Sequence, residues 1–117
     1  MSDEILQGEI TAFLGQGTSF SGRLMFEGTV RIDGNFVGDI YTRDTLIIGP
    51  DARIRAQIDA DTIVIAGVVE GEIRALSRVE IQSTGVLRGQ VVSPVLKIDE
   101  GGMFEGRTQM LPQQENS

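Results

Sequence analysis

The sequence predicts an all-β fold of one kind, a parallel β-solenoid of about six windings, each of ~17 residues. Three observations predict it. A five-residue phrase (large apolar, any, small, any, then usually a second apolar residue) begins at Phe20, Phe36, Ile54, Val69, Leu87 and Phe104. A shorter apolar-x-apolar phrase follows each of the first five, at Val30/Ile32, Leu46/Ile48, Ile63/Ile65, Val79/Ile81 and Leu96/Ile98. Turn residues then close each winding: Asp33-Gly34-Asn35, Gly49-Pro50-Asp51, Ala66-Gly67, Ser83-Thr84-Gly85 and Glu100-Gly101-Gly102. Alternation of period two belongs to strands, and glycine at this density would cost a helix ~1 kcal/mol per residue.

In chain order, residues 1–12 form a flexible acidic tail in which Asp3, Glu4 and Glu9 surround Ile5, Leu6 and Ile10. Phe13-Leu14-Gly15-Gln16-Gly17 falls where the second phrase of a preceding turn belongs and reads as a partial first winding. The β-helix domain covers 13–108, and the polar residues 109–117 form a disordered C-terminal tail. Within each long phrase the small residue stands between two large ones, which suggests a narrow interior that admits only Gly or Ala. Glycine at the corners is expected to supply positive φ.

Stacking in register makes two outward columns. The first reads Ser21, Val37, Arg55, Glu70, Arg88, Glu105, and its last four members alternate in sign. Such cross-strand pairs are worth ~0.2–1 kcal/mol each and penalise a slipped register. The second column reads Arg31, Ile47, Val64, Glu80, Lys97, which sets Ile47 and Val64 side by side and exposed, available for a lateral contact or for cover by the leader.

Composition narrows the function. The 117 residues suit one domain, and a net charge of −7 opposes binding to nucleic acid or to anionic lipid by charge alone. There is no Cys or His, so no thiolate or imidazole is available for metal or acid–base chemistry. No apolar run reaches the ~20 residues of a membrane span, and the opening Met-Ser-Asp-Glu lacks a signal-peptide segment, so a cytoplasmic protein is expected. Glu70/Glu72 and Asp59/Asp61 are carboxylate pairs on one strand face, best read as solvated surface. Gly15-x-Gly17 is too short for a nucleotide fingerprint and no P-loop occurs, so neither nucleotide nor any other cofactor is expected. Gly101-Gly102 does not complete a calcium-binding nonapeptide. Stacked-winding acyltransferases and carbonic anhydrases depend on histidine. An enzyme is therefore not expected.

The chemistry points instead to the ends. A solenoid seals its strand edges along its length but not at its termini, and a contact made at both ends gives an open filament. The last winding opens on Met103 and Phe104, and the first offers Phe13, Leu14 and Phe20. These five residues are the expected polymer interface.

The opening from Ile10 to Gly22, ITAFLGQGTSFSG, followed by Phe26-Glu27-Gly28-Thr29-Val30-Arg31-Ile32-Asp33-Gly34, resembles the start of a bactofilin domain, and the resemblance runs to about Gly106. It implies a bacterial cytoskeletal protein with a right-handed parallel β-helix (a triangular β-solenoid), a hand that agrees with the general chirality of parallel crossovers, that polymerises without nucleotide into non-polar filaments, joined head to head and tail to tail. The matching position places Phe104 at one junction. Membrane-attached members carry an apolar or basic N-terminal segment, whereas this leader is acidic. The expected partners are further copies of the chain. Client proteins, and the inner face of the membrane through the N-terminal tail, are further expected contacts. The competing reading is a non-polymerising β-solenoid that binds other proteins.

Overall fold

The computed structural model describes the backbone of residues 10–110 and the side chains from residue 15 onward. Ten strands and no helix make up the described chain: β1 (Ile10–Leu14), β2 (Ser19–Phe26), β3 (Thr29–Ile32), β4 (Asn35–Thr42), β5 (Thr45–Ile48), β6 (Arg53–Ile65), β7 (Val68–Ile81), β8 (Val86–Ser93), β9 (Leu96–Ile98) and β10 (Met103–Met110). Each pairs in parallel with the equivalent strand of the next winding. This is a parallel β-helix. The strands begin three residues before, and end two residues after, the 13–108 span expected for the domain.

The long phrases stack without slippage. Phe20, Phe36, Ile54, Val69, Leu87 and Phe104 occupy one register column, as do Leu24, Ile40, Ile58, Ile73, Val91 and Thr108. The short phrases stack beside them, from Val30/Ile32 to Leu96/Ile98. The interior members of these columns are almost wholly buried and form one continuous core. Full burial of each Ile, Leu or Val contributes ~1.5–3 kcal/mol, which makes these columns the main source of stability.

The turns number five, not six. β2 with β3, β4 with β5, β6, β7, and β8 with β9 are complete windings, flanked by two half windings. β1 supplies only the short-phrase side and pairs with β3, whereas β10 supplies only the long-phrase side and pairs with β8. The sixth long phrase lacks a short phrase to complete its turn. Phe13-Leu14 does lie in the partial first winding, but β1 pairs Ala12 with Val30 and Leu14 with Ile32. Phe13 therefore shares its register position with Arg31, in the outward column.

Glycine works differently from the sequence-based expectation. The small residues of the long phrases are not squeezed inside; Gly38, Gly71 and Gly89 are half-exposed and Gly22 and Gly106 exposed. All five hold φ between +135 and +145, where the strand bends. A Cβ on Gly38, Gly71, Gly89 or Gly106 would run into the backbone carbonyl oxygen of the residue stacked below. Ala56, in the same column, is free of positive φ and buried. Gly17 and Gly28, in the turns on either side of β2, have φ of +84° and +111°, but of the glycines in the corner sequences that close each winding only Gly101 has positive φ, at 98°. The others are required by closeness: a Cβ on Gly34 would lie 2.6 Å from the Gly15 carbonyl oxygen, and one on Gly102 would lie 2.8 Å from that of Gln82. Backbone packing between windings, rather than a thin interior, selects glycine.

Two polar side chains are buried at the remaining corner and both are satisfied. Thr42 Oγ1 donates to the Gly28 carbonyl at 2.7 Å and accepts from the Asp44 N–H at 3.2 Å. Ser93 Oγ donates to the Val95 carbonyl at 2.9 Å and accepts from its N–H at 3.3 Å. Both side chains thereby close a turn on themselves.

Candidate assembly surfaces at the two ends

The half windings make the ends unequal. At the N-terminal end β1 covers the short-phrase run, so Val30 and Ile32 are fully buried. Among the described residues Phe20 and Leu24 of β2 have no strand beyond them, and both are half-buried. Phe20 stacks on Phe36 with ring centroids 5.4 Å apart and planes 17° from parallel. At the C-terminal end β10 covers Leu87 and Val91, which are buried. Phe104 on β10 and Leu96 on β9 are left half-buried. Ile98 is 44% exposed, against 0% for Ile32, Ile48, Ile65 and Ile81 in its own column. Met103 and Met110 are exposed as well.

Backbone groups follow the same logic. Among the described residues β1 and β2 pair on one side only, and so do β9 and β10. Each end thus carries a free strand edge above a half-buried apolar section. Of the five residues singled out in the sequence, Phe20 lies on the N-terminal end, while Phe104 and Met103 lie together on β10 at the other. Phe13 and Leu14 lie on the free strand β1, and no more than their register is described.

The sides are charged and paired. Arg55 Nε lies 3.3 Å from Glu70 Oε1, Arg88 Nη1 lies 3.5 Å from Glu70 Oε2, and Arg88 Nε lies 3.3 Å from Glu105 Oε1. The four-residue ladder read from the sequence is therefore formed. Arg31 holds Asp33 through two hydrogen bonds, of 2.9 and 3.1 Å. Hydrogen bonding to Asp33, aided by the nearby negative charge and opposed by burial, raises the Arg31 pKa. Ile47 and Val64 are register partners as expected, but both are half-buried rather than exposed. In this column Ile47 lies between Arg31 and Val64, and Val64 between Ile47 and Glu80.

Exposed apolar side chains also stand on the sides, Leu76 at 72% and, nearer the N-terminal end, Met25, Val37 and Tyr41, none of which the sequence reading singles out as a site. Met25 and Tyr41 are register partners, and Val37 is outward on the same strand as Tyr41. They stand at outward positions, two of them beyond the five-residue phrase, where the repeat says nothing about polarity. Alternation from Val37 through Asp39 to Tyr41 could have found them. Concave chemistry is sparse: a shallow groove of about 350 Å³ runs over Gln57, Asp59, Glu72, Arg74 and Gln90. Among the described residues no cluster of carboxylates could hold a metal ion, and no helix is long and apolar enough to cross a membrane.

The fold is a β-helix with one continuous core, charge pairs along its sides and half-buried apolar residues at each end. Comparison with known sequences gives its family. The bactofilin family, described as polymer-forming cytoskeletal, matches residues 12–109, and the chain belongs to that family. It is similar to two bactofilins of Myxococcus xanthus (strain DK1622). It is 30% identical to BacP over 97 residues, which are 83% of this chain and 40% of BacP. It is 26% identical to BacO over 97 residues, 83% of this chain and 77% of BacO. The match thus spans about two fifths of BacP's length. No solved structure matches the chain.

Proposed function

We infer that the protein is a cytoskeletal scaffold that polymerises end to end, without nucleotide, into non-polar cytoplasmic filaments that support cell shape or position other proteins. One observation supports the reading: among the described residues both ends leave strand edges unpaired over a half-buried apolar section, while the sides carry ion pairs between full windings. A stack that can accept a further strand at each end has no internal stop. Phe104, Met103, Phe20, Leu14 and Phe13 are the residues proposed for the junctions. Client proteins, and the inner membrane surface through residues 1–12, are the further proposed partners.

Electron microscopy of the purified protein, in buffer without nucleotide or metal, tests this directly. Long thin filaments are expected; discrete particles at high concentration would replace the scaffold with the second reading, a binding module. That alternative draws on the exposed Met25, Tyr41 and Val37, which give a partner protein an apolar foothold on the side. The variant Phe104→Arg places an unpaired charge in the junction, which opposes association. It is expected to give short oligomers with unchanged β-sheet circular dichroism. Normal filaments from it would remove Phe104 from the contact.

A further inference from the structure

We propose that residues 4–7 of this chain dock as a short strand on the free edge of β2, with Ile5 on Leu24 and Glu4 on Arg23. The docked leader caps part of the N-terminal end and is displaced when a second copy binds there. The docking is argued from register alone; its effect on growth rests on the end-to-end assembly above.

Register gives the placement. β1 runs parallel to β3, and its first pair is Ile10 with Thr29. Residues 4–9 precede the described chain. Counting back from that pair sets Gly8-Glu9 on Glu27-Gly28, the two-residue link from β2 to β3. The next winding has a link of the same length, Arg43-Asp44, between β4 and β5. Before the link, Gln7 falls on Phe26, Leu6 on Met25, Ile5 on Leu24 and Glu4 on Arg23.

Each of these four positions suits its residue. Leu24 heads an inward column that continues through Ile40, Ile58 and Ile73, and Ile5 extends it in kind. Leu24 is half-buried, against 2% exposure for Ile40 and Ile58, so it has apolar surface left to cover. Leu6 lies over Met25, which is 51% exposed. Gln7 joins a column that already holds the buried Thr42. Arg23 is exposed and only loosely held by Asp39, 3.9 Å away, and Glu4 brings it a second carboxylate.

The cover has a built-in stop. β2 bends at Gly22, where φ is +140, and the residue counted onto that bend is Asp3, whose side chain disfavours such a conformation. A Cβ on Gly22 would meet the Phe20 ring at 3.7 Å and, among the described residues, no backbone carbonyl like those beside Gly38, Gly71, Gly89 and Gly106. The leader therefore covers Arg23 to Phe26 and leaves Phe20 open. The same count at the other end gives no cover. Carrying the register of β10 on β8 past Met110 sets Gln113 on Leu96 and Glu115 on Ile98, a polar and a charged residue on two apolar ones.

A leader strand and a strand of a second copy use the same edge of β2, so they compete. Phe20 offers the incoming copy a first contact, from which it can peel the leader away.

Cysteine pairs in the full chain test this, because the sequence has no Cys of its own. Residues stacked on neighbouring strands lie ~4.8 Å apart, within reach of a disulfide. With oxidised glutathione, at a dilution where the protein is unassembled, Ile5→Cys/Leu24→Cys is expected to close within one chain. It should close roughly tenfold faster than Leu6→Cys/Leu24→Cys, in which one thiol points outward. Mass spectrometry reads the closure and circular dichroism checks the fold. The locked chain should pellet several-fold less polymer than the same sample after reduction. Equal closure of the two pairs would mean a tail without register and would overturn the proposal. Faster closure of the Leu6 pair, or undiminished assembly of the locked chain, would overturn it too. If wild-type protein forms no filaments the scaffold reading falls, while the two closure rates still decide whether the leader docks.

Discussion

Within the long phrase, Gly71 shows how a single residue type can be demanded for two reasons at once. Its φ of +139 is costly for any L side chain, and a Cβ there would meet the carbonyl oxygen of Ala56 in the winding below. Gly71→Ala is therefore expected to lower stability by about 2–3 kcal/mol or more, read by urea unfolding of a non-assembling background such as Phe104→Arg. Ala56→Gly makes the matched control. Ala56 sits in the same column without positive φ, so its loss should cost only about 0.5–1 kcal/mol through added backbone freedom. Equal costs for the two substitutions would remove backbone conformation as the reason for glycine in this column.

Between strands, the charge ladder is the feature that fixes register from outside. Glu70 stands between Arg55 and Arg88, so Glu70→Lys turns two attractions into two repulsions. The sites are largely solvated, and the expected loss is about 1 kcal/mol, shrinking in high salt. A loss unchanged by salt would point to packing of the Glu70 stem instead. Register and ladder are both legible in the sequence, because strand alternation and a near-constant repeat length assign each residue its column. The role of glycine is not. Sequence displays only smallness, and a tight interior, a positive φ and a close carbonyl all ask for smallness alike. The turn count misleads for a related reason: the phrase at Phe104 looks complete, and only the lack of a following short phrase marks it as half a winding. Phe13 stands out as a large apolar residue, but alternation alone does not tell whether Phe13 or its neighbours Ala12 and Leu14 take the short-phrase positions.

Over the whole molecule, the two half windings offset the ends: β1 extends the short-phrase side at one terminus and β10 extends the long-phrase side at the other. Each side consequently counts six strands, from β1 to β9 on one and from β2 to β10 on the other. In the end-to-end assembly proposed above, the stack is a unit lengthened by its own copies. Six strands at the ~4.8 Å spacing of paired β-strands give each copy an axial length of ~29 Å. The molecule is in effect graduated like a ruler. Filaments built from it should scatter strongly on the meridian near ~4.8 Å, and copies alternating in direction should add a coarser period of ~58 Å, twice the single-copy length. A coarse period of ~29 Å alone would mean that all copies face the same way.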